Sequence, residues 1–189
     1  MRNKKSKKIK SDPKHYKKIL VPFLILLVLT VAFFLIGKAR KEKEVSSIDF
    51  SADLENRITR MVSGYPIEEM APYISEEDRT TAAFLVAIAK KESNWGKFSP
   101  QKDGKNCYNY WGYRGTYNQT DSGYSCFDNP QQAVEAVGER IGEFIAKKID
   151  SPKKMVVAWK CGFDCSSHSF WSVKKWEWDV GFYFERIYH

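Results

Sequence analysis

Residues 19–37 constrain this chain more than any other stretch: nineteen successive positions without a charge, dominated by Leu, Val, Ile and Phe. At 1.5 Å per residue, such a helix reaches across roughly a 30 Å hydrocarbon layer. Pro22 falls in the first turn, where a missing N–H does little harm. No apolar run of this length recurs in the chain, so the reading is a transmembrane helix rather than a buried core helix. Nine Lys/Arg lie in residues 1–18, against four just after the span (Lys38, Arg40, Lys41 and Lys43). That asymmetry points to a cytoplasmic N-terminus and an extracytoplasmic C-terminal domain. Gly37-Lys38-Ala39 faintly resembles a signal-peptidase site, but the apolar region is long for a cleaved signal, which favours an uncleaved single-pass anchor.

The net charge of +8 belongs to that leader. Residues 1–44 hold 13 basic and 3 acidic side chains, whereas residues 45–189 hold 18 and 20. The domain beyond the anchor is slightly acidic, which removes the main support for nucleic-acid binding. The basic tail, residues 1–18, suits anionic lipid headgroups at the membrane surface.

Four cysteines, Cys107, Cys126, Cys161 and Cys165, agree with export. They allow three pairings. Cys107–Cys126 and Cys161–Cys165 are the economical ones, each closing a loop outside the reducing cytosol. A zinc site is the alternative, but no C-x₂-C pair is present and His168 is the one histidine close by. No cofactor and no metal are expected.

After a charged linker at 38–47, Phe50, Leu54, Ile58, Met61 and Val62 predict a helix over about 52–63, capped by Ser51 and closed by Gly64. Residues 65–74, with two prolines, predict one short helical turn. Residues 97–128 are punctuated by Gly104, Gly112, Gly115 and Gly123 and rich in Tyr, Trp and Phe. They predict a loop with a small antiparallel hairpin. Asn129-Pro130 opens a helix that buries Ala133, Val134, Val137, Ile141, Phe144, Ile145 and Ile149. Ser151-Pro152 opens another, with Met155, Val156 and Trp159 inward. Ser172 caps a last helix that packs Trp176, Val180, Tyr183, Phe184 and Ile187. The expected fold class is mainly α: one transmembrane helix, then a helical domain over 48–189 with a small β-hairpin lobe.

Within that domain, Ser75 is read as capping an amphipathic helix whose first turn carries Glu76, Glu77 and Asp78. Thr81, Phe84, Leu85, Ile88, Glu92 and Trp95 share one face at spacings of three and four. Gly96 is the natural stop. Glu92 therefore continues an apolar stripe at the negative end of a helix dipole. Partial burial and the dipole would both disfavour its anion, the condition a general acid needs.

Glu92-Ser93-Asn94-Trp95-Gly96 resembles the E-S-x-W-G motif of glucosaminidase-type peptidoglycan hydrolases of the lysozyme-like superfamily. Asn109-Tyr110-Trp111-Gly112-Tyr113-Arg114-Gly115 is similar to their N-L-F-G-I-K-G motif. The segment from Tyr124 to Asp128, with the helix after it, resembles the strand ending in F-R-x-Y-D-S. The ordered set covers about residues 75–145 and is more specific than any one motif.

What the resemblance implies is a lysozyme-like helical fold that cuts the β-1,4-linked glycan strands of peptidoglycan, with Glu92 as general acid. Ser93, Trp95, Asn109, Tyr110, Trp111, Tyr113, Arg114 and Tyr124 would bind substrate, aromatic rings stacking on sugar faces and polar groups meeting hydroxyls. About half of the aromatics are expected to be core instead. Phe127 stands where the family commonly has Tyr. A second carboxylate is not evident, Asp103, Asp121 and Asp128 being the nearby acids. Lytic transglycosylases, which use a single Glu, are the alternative, as is a wall-binding domain without activity.

Overall fold

The structure, a computed structural model, describes residues 13–189, with side chains for residues 26, 27, 29–41 and 51–189. Most of the basic tail and the first side chains of the apolar run therefore lie outside the described residues. The chain divides into two units, residues 1–48 and 49–189.

Helix α1 (Pro13–Val62) is continuous. The residues expected as a charged linker, 38–47, are thus helical, and the helix start expected at a Ser51 cap is overturned. No Gly or Pro occurs between Gly37 and Gly64, and the Lys, Arg, Glu and Ala residues there are strong helix formers. Ser51 lies inside the helix, its hydroxyl donating to the Ser75 carbonyl at 3.4 Å. In the first unit Leu26, Leu27, Leu29, Phe33, Phe34, Leu35 and Ile36 are all exposed. Among the described residues no helix is long and apolar enough to cross a membrane, and the expected span at 19–37 falls partly outside them.

In the second unit, α1 contributes Leu54, Ile58 and Val62 to the core. A 3₁₀ turn (Pro66–Met70) and α2 (Ala71–Ser75) follow, two short turns where one was expected. Helix α3 (Arg79–Ser93) is the central element. It packs most heavily against α6 (Phe170–Tyr188) and also against α4 (Pro130–Ala146) and α2. Helix α5 (Pro152–Trp159) packs on α6.

Two details of α3 differ from expectation. Asp78, not Ser75, is its cap, accepting from Thr80 N at 3.0 Å and Thr81 N at 3.2 Å. Ser75 instead ends α2, its hydroxyl turned back onto the Pro72 carbonyl. Nor is α3 amphipathic: every residue from Thr81 to Ala89 is buried. Ala82, Ala83, Ala87 and Ala89 present little beyond backbone, so neighbouring elements close over all faces. Helix α6 is likewise capped one turn earlier than expected, by Ser169, which accepts from Ser172 N.

The loop between α3 and α4 carries the β-lobe. Strands β1 (Gln101–Lys102) and β2 (Lys105–Asn106) pair antiparallel across an Asp103-Gly104 turn. Gln119 bridges Ser125 further on. The Cys107–Cys126 disulfide ties the two ends of this lobe, and Cys161–Cys165 closes the turn after α5, as the economical pairing had it.

Candidate active site

The C-terminal end of α3 presents Glu92, and the four residues after it explain how. Asn94, Trp95 and Gly96 all have left-handed backbone, with φ of 51°, 57° and 90°. The chain thus reverses directly after Glu92. For Trp95 this conformation is strained, and the residue is held there by its ring. The indole donates to the Val86 carbonyl at 2.9 Å, and the ring meets Tyr65 and Tyr183 edge-on. The ammonium of Lys90 sits 4.1 Å above it. Ser93 accepts from Gly96 N at 2.8 Å while donating to the Ala89 carbonyl. Gly96 has no alternative, because a Cβ there would stand 2.9 Å from both Pro66 and the Tyr110 ring.

The aromatic loop is built with similar economy. Asn109 is fully buried and uses its amide three ways: donating to the carbonyls of Tyr113 and Ser125, and accepting from Tyr113 N. The Trp111 indole donates to the Leu85 carbonyl at 2.7 Å, in the middle of α3. Tyr110 is buried between Asn106 and Glu69, and burial pushes its phenol well above its ordinary value.

These contacts show how the residues of the expected substrate-binding set are held. Ser93, Trp95, Asn109, Tyr110 and Trp111 are all buried, although Ser93, Asn109 and Trp111 still border the depressions beside Glu92. They are framework because the reversal after α3 and the return of the loop both need anchors on the central helix. Tyr113 is half-buried in a stack between Phe127 and Trp159. Arg114 and Tyr124 remain accessible. The guanidinium lies 4.1 Å over the Tyr124 ring and donates to the Ser122 carbonyl.

Glu92, Gly112 and Tyr124 line two adjoining depressions of about 430 and 280 Å³. Gly112, Arg114 and Trp159 continue the second into a third of about 320 Å³. The result is one groove with Glu92 near its middle. Gly112 contributes to all three parts, and its φ of 65° is one a glycine adopts freely.

Glu92 is exposed, not partly buried. Its carboxyl points away from the buried faces of α3, at the last turn of that helix. It is nevertheless positioned: buried Trp176 on α6 donates its indole N–H to Glu92 Oε1 at 2.7 Å. Oε2 has no hydrogen-bond partner among the described residues. Beside it, Lys91 binds Asp179 at 2.7 Å. Partial burial opposes ionisation of Asp179, yet hydrogen bonds from Lys91 and Lys175 outweigh it and hold that carboxyl below its usual range.

Glu92 is the one carboxylate among the residues lining this groove. Asp103 and Asp128 line a separate depression with Lys102, Lys105, Tyr108 and Phe127, where Asp128 accepts from the Tyr117 hydroxyl. Asp121 is exposed in the turn at 120–123. None of the three shares the groove with Glu92. Among the described residues no group of His, Cys, Asp and Glu is placed to hold a metal ion.

Sequence reading missed Trp176, Trp159, Lys160 and Arg140 as groove residues. Trp176 and Trp159 are visible in the sequence only as inward positions of helices. The usable signal was that a buried indole needs an acceptor, which says that a partner exists but not which one. No protein-family model, no curated protein and no solved structure matches this chain.

Proposed function

We propose that this chain is a membrane-anchored enzyme that cleaves peptidoglycan glycan strands at the outer face of the membrane, with Glu92 as its general acid. The observation that carries the reading is the lone carboxylate in the middle of an open groove, one oxygen held by Trp176 and the other free. Tyr124 and Arg114 beside it offer a ring face and hydrogen-bond donors, which are what a sugar requires. The resemblance of the segments at 92–96 and 109–115 to glucosaminidase motifs supports the same substrate. For the anchor, support comes from the uncharged run at 19–37 and from the exposure of its described apolar side chains, Phe33 at 81% and Phe34 at 75%.

Two carboxylates are the usual equipment for hydrolysis with retention or inversion. A groove lined by one supports the transglycosylase form of the reaction more than the hydrolytic form. Glu92 gives its proton to the bridging oxygen as the glycosidic bond breaks. The 6-hydroxyl of the same muramyl sugar then attacks the anomeric carbon, returning its proton to Glu92. No water is consumed, and the product is a 1,6-anhydro end.

The test is digestion of purified cell-wall sacculi by the full chain in detergent, beside Glu92→Gln. Mass spectrometry of the released fragments distinguishes anhydro-muramyl ends from reducing ends. Equal release by the Glu92→Gln protein sinks the assignment. The exposure of Glu92 favours one second reading, a wall-binding domain without turnover, which predicts sedimentation with sacculi and no fragments from either protein.

A further inference from the structure

The groove is electrostatically lopsided. On one side of Glu92 its lining is neutral: Phe98, Ser99, Pro100, Gln101 and Ser122. On the other side lie four cations, Lys91, Arg114, Lys160 and Arg140. Two of these are already matched, Lys91 by Asp179 and Arg140 by Glu143. The other two are not. Arg114 donates only to a neutral carbonyl, and Lys160 has no hydrogen bond or ion pair through its side chain among the described residues. Both line the same depression as Glu92, the one acid there.

A polymer of neutral sugars gives no reason for this imbalance. Cations brought close along one half of a concave surface raise the local concentration of an anionic ligand and fix its direction. Covering them with neutral matter would instead cost desolvation without return. We infer that the half of the groove around Arg114 and Lys160 receives a carboxylate-bearing substituent of the glycan, the peptide stem carried on a muramyl sugar, while the Phe98–Ser122 half receives unsubstituted sugar. This deepens the proposed function and rests on it for the identity of the polymer. The enzyme then reads strand direction from charge, and discriminates against uncharged β-1,4 glycans of the same backbone geometry.

The experiment is co-sedimentation of the full chain, in detergent and carrying Glu92→Gln, with two wall preparations: native sacculi and sacculi whose carboxylates have been capped as amides. Capping is expected to weaken binding about fivefold, as raised salt should for native walls. Lys160→Gln is expected to weaken binding to native walls about threefold and to leave binding to capped walls unchanged, with Lys160→Arg restoring it. Unaltered melting temperatures show that the variants are folded. Equal affinity for native and capped walls, or a loss that is the same on both, overturns the inference. Release of fragments by the unmutated chain is scored separately. Carboxylate-dependent binding without fragments defeats the catalytic reading alone, whereas equal cleavage of native and capped walls defeats the charge subsite alone.

Discussion

Trp176 and Glu92, 84 residues apart in sequence, meet through a 2.7 Å hydrogen bond from indole to carboxylate. The donor is buried on α6 and the acceptor ends α3, so the acid is aimed by the packing of the two most extensively paired helices. Trp176→Phe keeps an aromatic ring in the core and removes the donor. Fragment release from sacculi should fall roughly tenfold to a hundredfold, the usual penalty for a mispositioned reacting group. The folded population at assay temperature should change little, which circular dichroism checks in the same samples.

Trp111 and Tyr124 both belong to the aromatic loop, yet their substitutions should separate cleanly. Trp111 is fully buried and bonded to Leu85, so Trp111→Ala should cost about 3–5 kcal/mol of stability. Tyr124 lines the groove while remaining half-exposed. Tyr124→Ala should lose wall binding with only a small change in denaturation midpoint. Urea titration beside sedimentation with sacculi reads both effects.

The two disulfides should differ in worth. On the chain-entropy account, replacing Cys107 and Cys126 together by Ser, across a separation of 19, costs about 3 kcal/mol. The Cys161–Cys165 pair, with a separation of 4, costs about 2 kcal/mol. Only the first should also loosen the loop that carries Arg114 and Tyr124, seen as faster amide exchange there.

Glu77, at the junction of α2 and α3, has its carboxyl raised above the ordinary value, first by burial and then by the charges of Asp78, Glu135 and Glu76. The native state therefore binds this proton more tightly than the unfolded chain does. At neutral pH both states are ionised, and the native one bears the cost. Glu77→Gln should raise the melting temperature at neutral pH. The gain should shrink as the pH falls through the folded value and vanish below 4.5, the unperturbed value. A gain that grows in acid would contradict this.

Much of the helical scaffold was legible before the fold was known. The Asn129 cap, the Pro130 and Pro152 starts and the buried face of α4 from Ala133 to Phe144 follow from local chemistry, and the structure has them, whereas Ile145 is half-buried and Ile149 lies past the helix end. Legibility failed where the deciding contact was distant or the signal was shared by two outcomes. Ser75 and Asp78 are both good caps, and only the extra turn of α2 chose between them. Trp95, Asn109 and Trp111 look like a sugar-binding surface because aromatics with amides suit sugars. The same groups suit a loop that must satisfy its own backbone against a central helix. The location of Glu92 was readable from α3 alone, but its exposure and its partner on α6 were not.

Gly112 is the one position common to all three parts of the groove. A track that stays open past a residue with no side chain can admit the interior of a long polymer as readily as its tip. A branched side chain at that spot would cut the path into closed pits, leaving room only for loose ends. On the proposed function, where along a strand the cut falls would thus be set by an atom the residue does not have.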